Sequence, residues 1–295
     1  MKNSSQNNSE YTRNEKFIDI ENVIFSKNPR LLKILPKFAI NYLKRILHED
    51  DLNNCINNNK NFNGLDFVEA ILKHFKLYIK VYGIENLKNE NKILVAANHP
   101  LGGIDGMALM YVVASIKPDI VFPVNDFLMN LPNLKSLFIP INKHGLNSKD
   151  SIKELNSIFE SDKCILFFPA GLASRKINGS IVDLEWKKTF VQKAKQYERI
   201  IIPAFISGRN SNFFYNLANF RKLIGIKANI EMLYLVDEMY KQRNKTINII
   251  FGEPINCAPL NKASALFYAK EIKEIVYTLA TNTDESSNFK SFDLT

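Results

Sequence analysis

Short apolar runs rich in β-branched residues alternate with helical stretches from Gly83 onward, and this alternation limits the possible folds more than any other feature. Ile93–Ala97, Ile120–Val124, Leu137–Ile141, Cys164–Phe168, Ile200–Phe205, Ala228–Leu235 and Thr246–Phe251 read as strands. Gly106–Ser115, Ser148–Glu160, Trp186–Tyr197 and Lys262–Ala280 read as helices. The pattern predicts an α/β fold, a central mixed and largely parallel sheet covered by helices. At 295 residues, 46% of them hydrophobic, the chain can bury one large α/β domain plus a smaller appendage. In such sheets functional residues gather at the carboxyl ends of strands.

One strand end carries a histidine and a carboxylate. Ile93–Ala97 runs into Asn98-His99-Pro100-Leu101-Gly102-Gly103-Ile104-Asp105-Gly106, and a helical pattern follows (Met107, Ala108, Met110, Tyr111, Ala114). A neutral imidazole takes up a proton near neutral pH, and a nearby carboxylate fixes its tautomer and stabilises the imidazolium. The paired glycines permit a tight turn and close approach of another molecule.

The rest of the chain narrows the class. Residues 1–14 and 281–295 read as polar tails, 15–64 as a basic amphipathic helical segment with a linker, and 65–280 as the main domain. Between Ser26 and His48 there are basic residues (Lys27, Arg30, Lys33, Lys37, Lys44, Arg45) and no acid. Pro36 suits a first helical turn, so one short helix is expected before it and another after it. Ala39, Tyr42, Leu43, Ile46 and Leu47 share a face opposite Lys37, Lys44 and Arg45. That pattern suits a helix lying on an anionic membrane surface, and equally a helix packed on the main domain with a solvated back. Asn-rich Asp51 to Gly64 reads as a linker or long loop. Cys55, Cys164 and Cys257 match no metal spacing and suggest a reducing compartment. The sequence shows no secretory signal and no membrane-spanning run. The net charge of +9 permits an anionic partner such as a lipid surface, nucleic acid or an acidic carrier protein. No nucleic-acid-binding motif is present, and no Gly-x-Ser-x-Gly elbow supports a lipid hydrolase.

Three further strand ends carry polar chemistry: Leu137–Lys143, Phe167-Phe168-Pro169-Ala170-Gly171-Leu172-Ala173-Ser174-Arg175-Lys176, and Ile201-Ile202-Pro203 through Ser207-Gly208-Arg209. Taken in order with His99…Asp105, the four blocks resemble the glycerolipid (lysophospholipid) acyltransferase superfamily, over roughly Ile79 to Pro254. Five residues rather than four separate His99 from Asp105, and Ala170 stands where the usual third motif has Glu. Both departures are similar to a bacterial branch labelled hemolysin-like, which includes O-acyltransferases of ornithine and glycine lipids.

The resemblance implies fatty acyl transfer from acyl-ACP or acyl-CoA to the hydroxyl of a lyso-lipid, with no metal or other cofactor. His99 would be the base and Asp105 its support. Gly102 and Gly103 would be the oxyanion candidates, and Arg175, Ser174, Lys143 and Arg209 would hold the acceptor head group. It also favours the membrane reading of the basic segment, with Arg30, Lys33, Lys37, Lys44 and Arg45 on the inner face of the cytoplasmic membrane. An amino-acid lipid, lyso-glycine or lyso-ornithine, is the expected acceptor; the alternatives are a 1-acylglycerol-3-phosphate acyltransferase of phospholipid synthesis and a non-catalytic membrane-surface protein.

Overall fold

The computed structural model describes residues 16–124, 129, 131–140, 148–259, 265–281 and 289–294. The chain divides into two compact units, one up to Lys60 and one from Asn61 onward.

In the first unit, α1 (Ile20–Lys27) and α2 (Pro29–Ile34) precede Pro36, and α3 (Lys37–Ile46) and α4 (Glu49–Asn58) follow it. Asn28 caps α2 by accepting the Arg30 and Leu31 N–H groups, and Pro29 takes the first helical position, where its missing N–H costs nothing. The region expected as a linker from Asp51 is instead largely helix α4. Glu49, Asp50 and Asp51 fill its first turn, where negative charge complements the helix dipole. Buried Glu49 accepts the Ile20 N–H at 2.8 Å, and Asn53 exchanges hydrogen bonds with the Ile18 backbone at 2.8 and 2.7 Å. The expected apolar face is also corrected. Ile46 is buried and Ala39, Leu43 and Leu47 are half-buried, while Leu31, Ile34, Phe38 and Tyr42 are exposed beside exposed Arg30, Lys33, Lys37 and Arg45. Lys44 pairs with Glu21.

The second unit runs α5 (Leu65–His74), β1 (Tyr78–Tyr82), β2 (Ile93–Ala97), α6 (Ile104–Ala114), β3 (Ile120–Val124), β4 (Phe138–Pro140), α7 (Ser148–Glu160), β5 (Cys164–Phe167), β6 (Arg175–Ile177) and β7 (Ser180–Val182). It continues with α8 (Thr189–Gln196), β8 (Ile200–Ile206), α9 (Asn212–Leu223), α10 (Leu235–Tyr240), β9 (Thr246–Phe251), β10 (Ile255–Asn256), α11 (Ala265–Leu279) and β11 (Lys290–Asp293). The main sheet has the order β11-β1-β9-β8-β2-β5-β3-β4, with β10 on β8, while β6 and β7 form a separate hairpin. β8, β2, β5, β3 and β4 are mutually parallel, and the direction reverses between β8 and β9. Leu94 and Ala96 join Ile165, Ile201, Trp186 and Phe190 in one core cluster, while Ile93, Val95 and Ala97 are fully buried as well. A strand covered on both faces reads as a continuous apolar run, which is why β2 was visible in the sequence.

Two expected stretches of secondary structure differ in this unit. The run 228–235 is not a strand: it forms a 3-10 turn, Ile230–Tyr234, leading into α10. Its alternating apolar residues imitate a strand, but Glu231 at its centre has buried arginine partners that a helical turn can reach. The expected C-terminal tail supplies edge strand β11, antiparallel to β1, and Leu294 beyond it is buried. No helix among the described residues is long and apolar enough to cross a membrane.

Topology places the site. From β2 the chain crosses by α6 to β3 on one side, whereas β2's other neighbour, β8, is reached only after β5. The carboxyl end of β2 is therefore a switch point, where an open α/β sheet leaves a crevice.

Candidate active site

Beyond β2 the chain cannot continue as strand, because Asn98 turns its side chain across to β8. The Asn98 amide donates to the Ile206 carbonyl at 2.9 Å and accepts the Ile206 N–H at 2.6 Å. His99 then begins a turn that closes at α6. Gly102 lies at φ +84°, and a Cβ there would sit 2.6 Å from Leu235 Cδ2. Both conditions require glycine. Asp105, in the first turn of α6, reaches back across this loop to the histidine.

His99 Nδ1 lies 3.0 Å from Asp105 Oδ2. The same oxygen accepts the Leu101 and Gly102 N–H groups at 2.8 and 3.2 Å, and Oδ1 accepts the Gly106 N–H at 2.9 Å. Asp105 is fully buried, while the His99 side chain keeps 16% of its surface exposed. Burial alone would lower the His99 pKa, but the Asp105 charge and hydrogen bond outweigh it and hold the imidazolium above its ordinary range. Burial would raise the Asp105 carboxyl; His99 and the backbone donors bring it below the usual range instead. With Nδ1–H facing a carboxylate, Nε2 carries the lone pair. The Phe168 ring stacks on the imidazole with centroids 4.1 Å apart, so Phe168 is a wall of the site rather than simple core.

Sequence reasoning missed Asp183. Its Oδ1 accepts the His99 backbone N–H at 3.2 Å and the Ser174 hydroxyl at 2.6 Å, and its Oδ2 accepts the Trp186 indole N–H at 2.9 Å. Ser174 in turn donates its own N–H to the His99 carbonyl at 2.8 Å. The His99 N–H is thus held by the buried Asp183 carboxylate and its carbonyl by the serine bonded to that carboxylate, whose pKa burial raises against the pull of its donors. An isolated Asp in Ile181-Val182-Asp183-Leu184 gives no periodic or motif signal. Asp183→Asn should cost about 1–3 kcal/mol, because the new amide meets the Trp186 N–H donor to donor. Adding Trp186→Phe should recover part of that loss in urea unfolding. Simple additivity of the two substitutions would contradict the clamp.

The other expected site residues divide. Gly102 does not offer a free oxyanion donor, because its N–H is held by Asp105; the Gly103 N–H, at the start of α6, meets no acceptor among the described residues. Ser174 is buried and committed to Asp183. Arg175 is not an open head-group fork: it is 1% exposed, donates to Glu231 Oε1 at 2.9 Å and to the Ala173 carbonyl, and lies over the Phe214 ring. The sequence could not show this, since Glu231 lies 56 positions away. Arg221 holds the other oxygen of Glu231, and the two guanidinium groups keep that carboxyl below its usual range against burial. Arg209 is exposed at the carboxyl end of β8 and donates to Asn212. Gly208 beside it closes on the turn, since a Cβ there would lie 3.0 Å from Leu101. Lys143 lies outside the described residues. Burial pushes the Cys164 thiol up to about 12 and Cys257 up to about 11, so neither is a ready nucleophile.

A family model described as Acyltransferase matches residues 22–285. A "Lyso-glycine lipid O-acyltransferase" of Bacteroides thetaiotaomicron is 46% identical over 264 residues, covering 89% of this chain and 97% of that protein. A protein of the same name from Phocaeicola vulgatus is 45% identical over 264 residues, with 89% and 95% covered. A crystal structure of the 1-acyl-sn-glycerophosphate (LPA) acyltransferase of Thermotoga maritima aligns with a TM-score of 0.47 at 17% identity, covering 75% of this chain and 83% of that one.

Proposed function

The chain belongs to the acyltransferase family, and from that membership we propose that it moves a fatty acyl group from a thioester to the hydroxyl of a lyso-lipid, with lyso-glycine lipid as acceptor. The observation that carries the reading is the His99–Asp105 pair, 3.0 Å apart at the switch point of the sheet. His99 Nε2 takes the proton of the acceptor hydroxyl as its oxygen attacks the thioester carbonyl. The tetrahedral oxyanion forms beside the start of α6, where the Gly103 N–H can donate to it. Collapse breaks the C–S bond, and the leaving thiolate takes the proton from the imidazolium. Asp105 stabilises that imidazolium and keeps its tautomer fixed, while Asp183 and Ser174 hold the ring's backbone in place.

The acceptor assignment draws support from the two bacterial relatives' names and from Ala170, buried where a glutamate would otherwise stand. Of the head-group cations, Arg209 is the exposed one among the described residues, and its fork suits a carboxylate. The donor is acyl-ACP or acyl-CoA; the protein works as a peripheral enzyme on the inner face of the cytoplasmic membrane. The first unit contributes exposed Ile34 and Phe38 with Arg30, Lys33, Lys37 and Arg45, and Lys44 lies beside them. Purified protein given an acyl thioester and either lyso-glycine lipid or lysophosphatidate should yield diacylated glycine lipid by mass spectrometry. Formation of phosphatidate alone would overturn the acceptor.

The pH profile follows from the pair. A base must be neutral to act, so kcat/KM should rise with pH along a limb whose midpoint lies above the ordinary imidazole value of 6.5. Asp105→Asn removes the charge that favours the imidazolium, moving the midpoint down while lowering the plateau. An unmoved midpoint would show that His99 is not the titrating base.

A further inference from the structure

The second unit exposes apolar side chains at one rigid tip that folding leaves uncovered. At the end of α9, Leu223 is 83%, Ile224 52% and Ile226 39% exposed, with Phe220 at 56% one turn earlier. Exposed Lys222 and Lys227 bracket the tip, giving Lys222-Leu223-Ile224-Gly225-Ile226-Lys227. The tip is built, not loose. Gly225 turns at φ +76°, its N–H donates to Lys222, and the Ile226 N–H donates back to Arg221, the paired bonds that close a helix end. The Arg221 guanidinium also holds the Ile226 carbonyl and is itself pinned by buried Glu231. On the neighbouring 3-10 turn Leu233 is 47% exposed, and Phe213 at the start of α9 lies edge-on to Tyr234. The β6–β7 hairpin flanks this surface, where Asn219 donates to the Lys176 carbonyl, and presents exposed Ile177.

Charge selects the occupant. From Phe205 to Ile230 the exposed charges are Arg209, Lys222 and Lys227, with no acid in the stretch and Arg221 buried on Glu231, and the β6–β7 hairpin from Arg175 to Val182 has no acid either. An apolar tip bracketed by lysines complements a lipid interface, with the side chains entering the acyl boundary and the ammonium groups at the anionic head groups. We propose that this tip docks the catalytic unit on an anionic lipid surface. The proposal deepens the lyso-lipid reading and rests on it for its purpose. The element that bears Leu233 continues directly into α10, where Leu235 closes over Gly102 and Met239 lies 3.9 Å from the position of a Cβ on Gly103. The chain that leaves the tip therefore runs through the 3-10 turn into the helix that packs on the glycines of the His99 turn.

The test uses the full chain and vesicles of phosphatidylcholine with or without phosphatidylglycerol. Leu223→Asp with Ile226→Asp should lower co-sedimentation with the anionic vesicles by at least about tenfold, and Lys222→Glu with Lys227→Glu should reduce it too. Near-UV circular dichroism should not change, because these side chains face solvent. Acyl transfer to a vesicle-embedded acceptor should fall with binding, while transfer to a detergent-dispersed acceptor persists. Vesicle binding unchanged by the tip variants would overturn the proposal, as would a change confined to self-association by analytical ultracentrifugation. If wild-type protein binds vesicles through the tip but acylates no lyso-lipid, the docking surface stands and the enzymatic reading fails.

Discussion

Replacing His99 with alanine should reduce acyl transfer by about 10²–10⁴-fold, the contribution a positioned base typically makes. The chain should remain folded, because buried Asp105 keeps its bonds from the Leu101, Gly102 and Gly106 N–H groups when the ring is removed. Activity within a few-fold of wild type, in protein with an unaltered melting transition, would remove His99 from the chemistry. The variant also has a signature in stability. The raised His99 pKa contributes stability that is present below the unfolded imidazole value and lost as pH rises through the folded one. The lowered Asp105 pKa contributes above the unfolded carboxyl value and is lost as pH falls through the folded one. Between those two ranges both terms act, so the gap in stability between wild type and His99→Ala should be widest there and narrow on either side.

Glu231→Gln should destabilise the second unit by about 3–5 kcal/mol, the usual cost of removing one partner from a buried ion pair. The glutamate is fully buried between Arg175 and Arg221, whose side chains are 1% and 7% exposed. Neutralising it leaves the Arg175 guanidinium, over Phe214 and beside Met232, and the Arg221 guanidinium with no carboxylate. Urea unfolding measures the loss directly. A triple replacement, Arg175→Met with Arg221→Met and Glu231→Leu, should recover much of it, because apolar groups of similar volume avoid the desolvation that charges suffer. A loss below about 1 kcal/mol for Glu231→Gln would put the triad in the class of solvent-screened pairs. The triad also fixes the segment whose Leu235 covers Gly102, so catalysis should weaken in Glu231→Gln even where the protein remains folded.

The parts of this fold that could be read from the sequence are those whose signal is local. β2, its glycine turn and α6 show because an apolar run, a glycine pair and a helical period lie consecutively, and the parallel block shows because its strands are covered on both faces. The misread parts depend on partners far away in the chain. The 228–235 run has the composition of a strand, and only Arg175 and Arg221 explain why Glu231 sits inside a helical turn. α4 looked like a linker because its asparagines suggest a loop, whereas Asn53 and Glu49 are tied to the chain entering α1. Arg175 sits in a motif-like position, which pointed to a ligand; its partner Glu231 was beyond any spacing argument. Asp183, which clamps His99, carries no sequence signature at all.

The position of β1 in the sheet has a consequence for how the chain comes to be folded during synthesis. β1 is made early, yet both of its neighbours, β9 and β11, are made much later. Until they emerge, the Tyr78–Tyr82 segment is a β-forming stretch with Ile79 and Val81 uncovered and both edges unpaired, and a strand in that state can pair with another chain. The five parallel strands from β2 to β8 can assemble beforehand, since all of them precede β9. Completion of the sheet is therefore a late, long-range event of the kind that slows folding, and the interval before β9 and β11 arrive is when a nascent chain most needs protection from its neighbours.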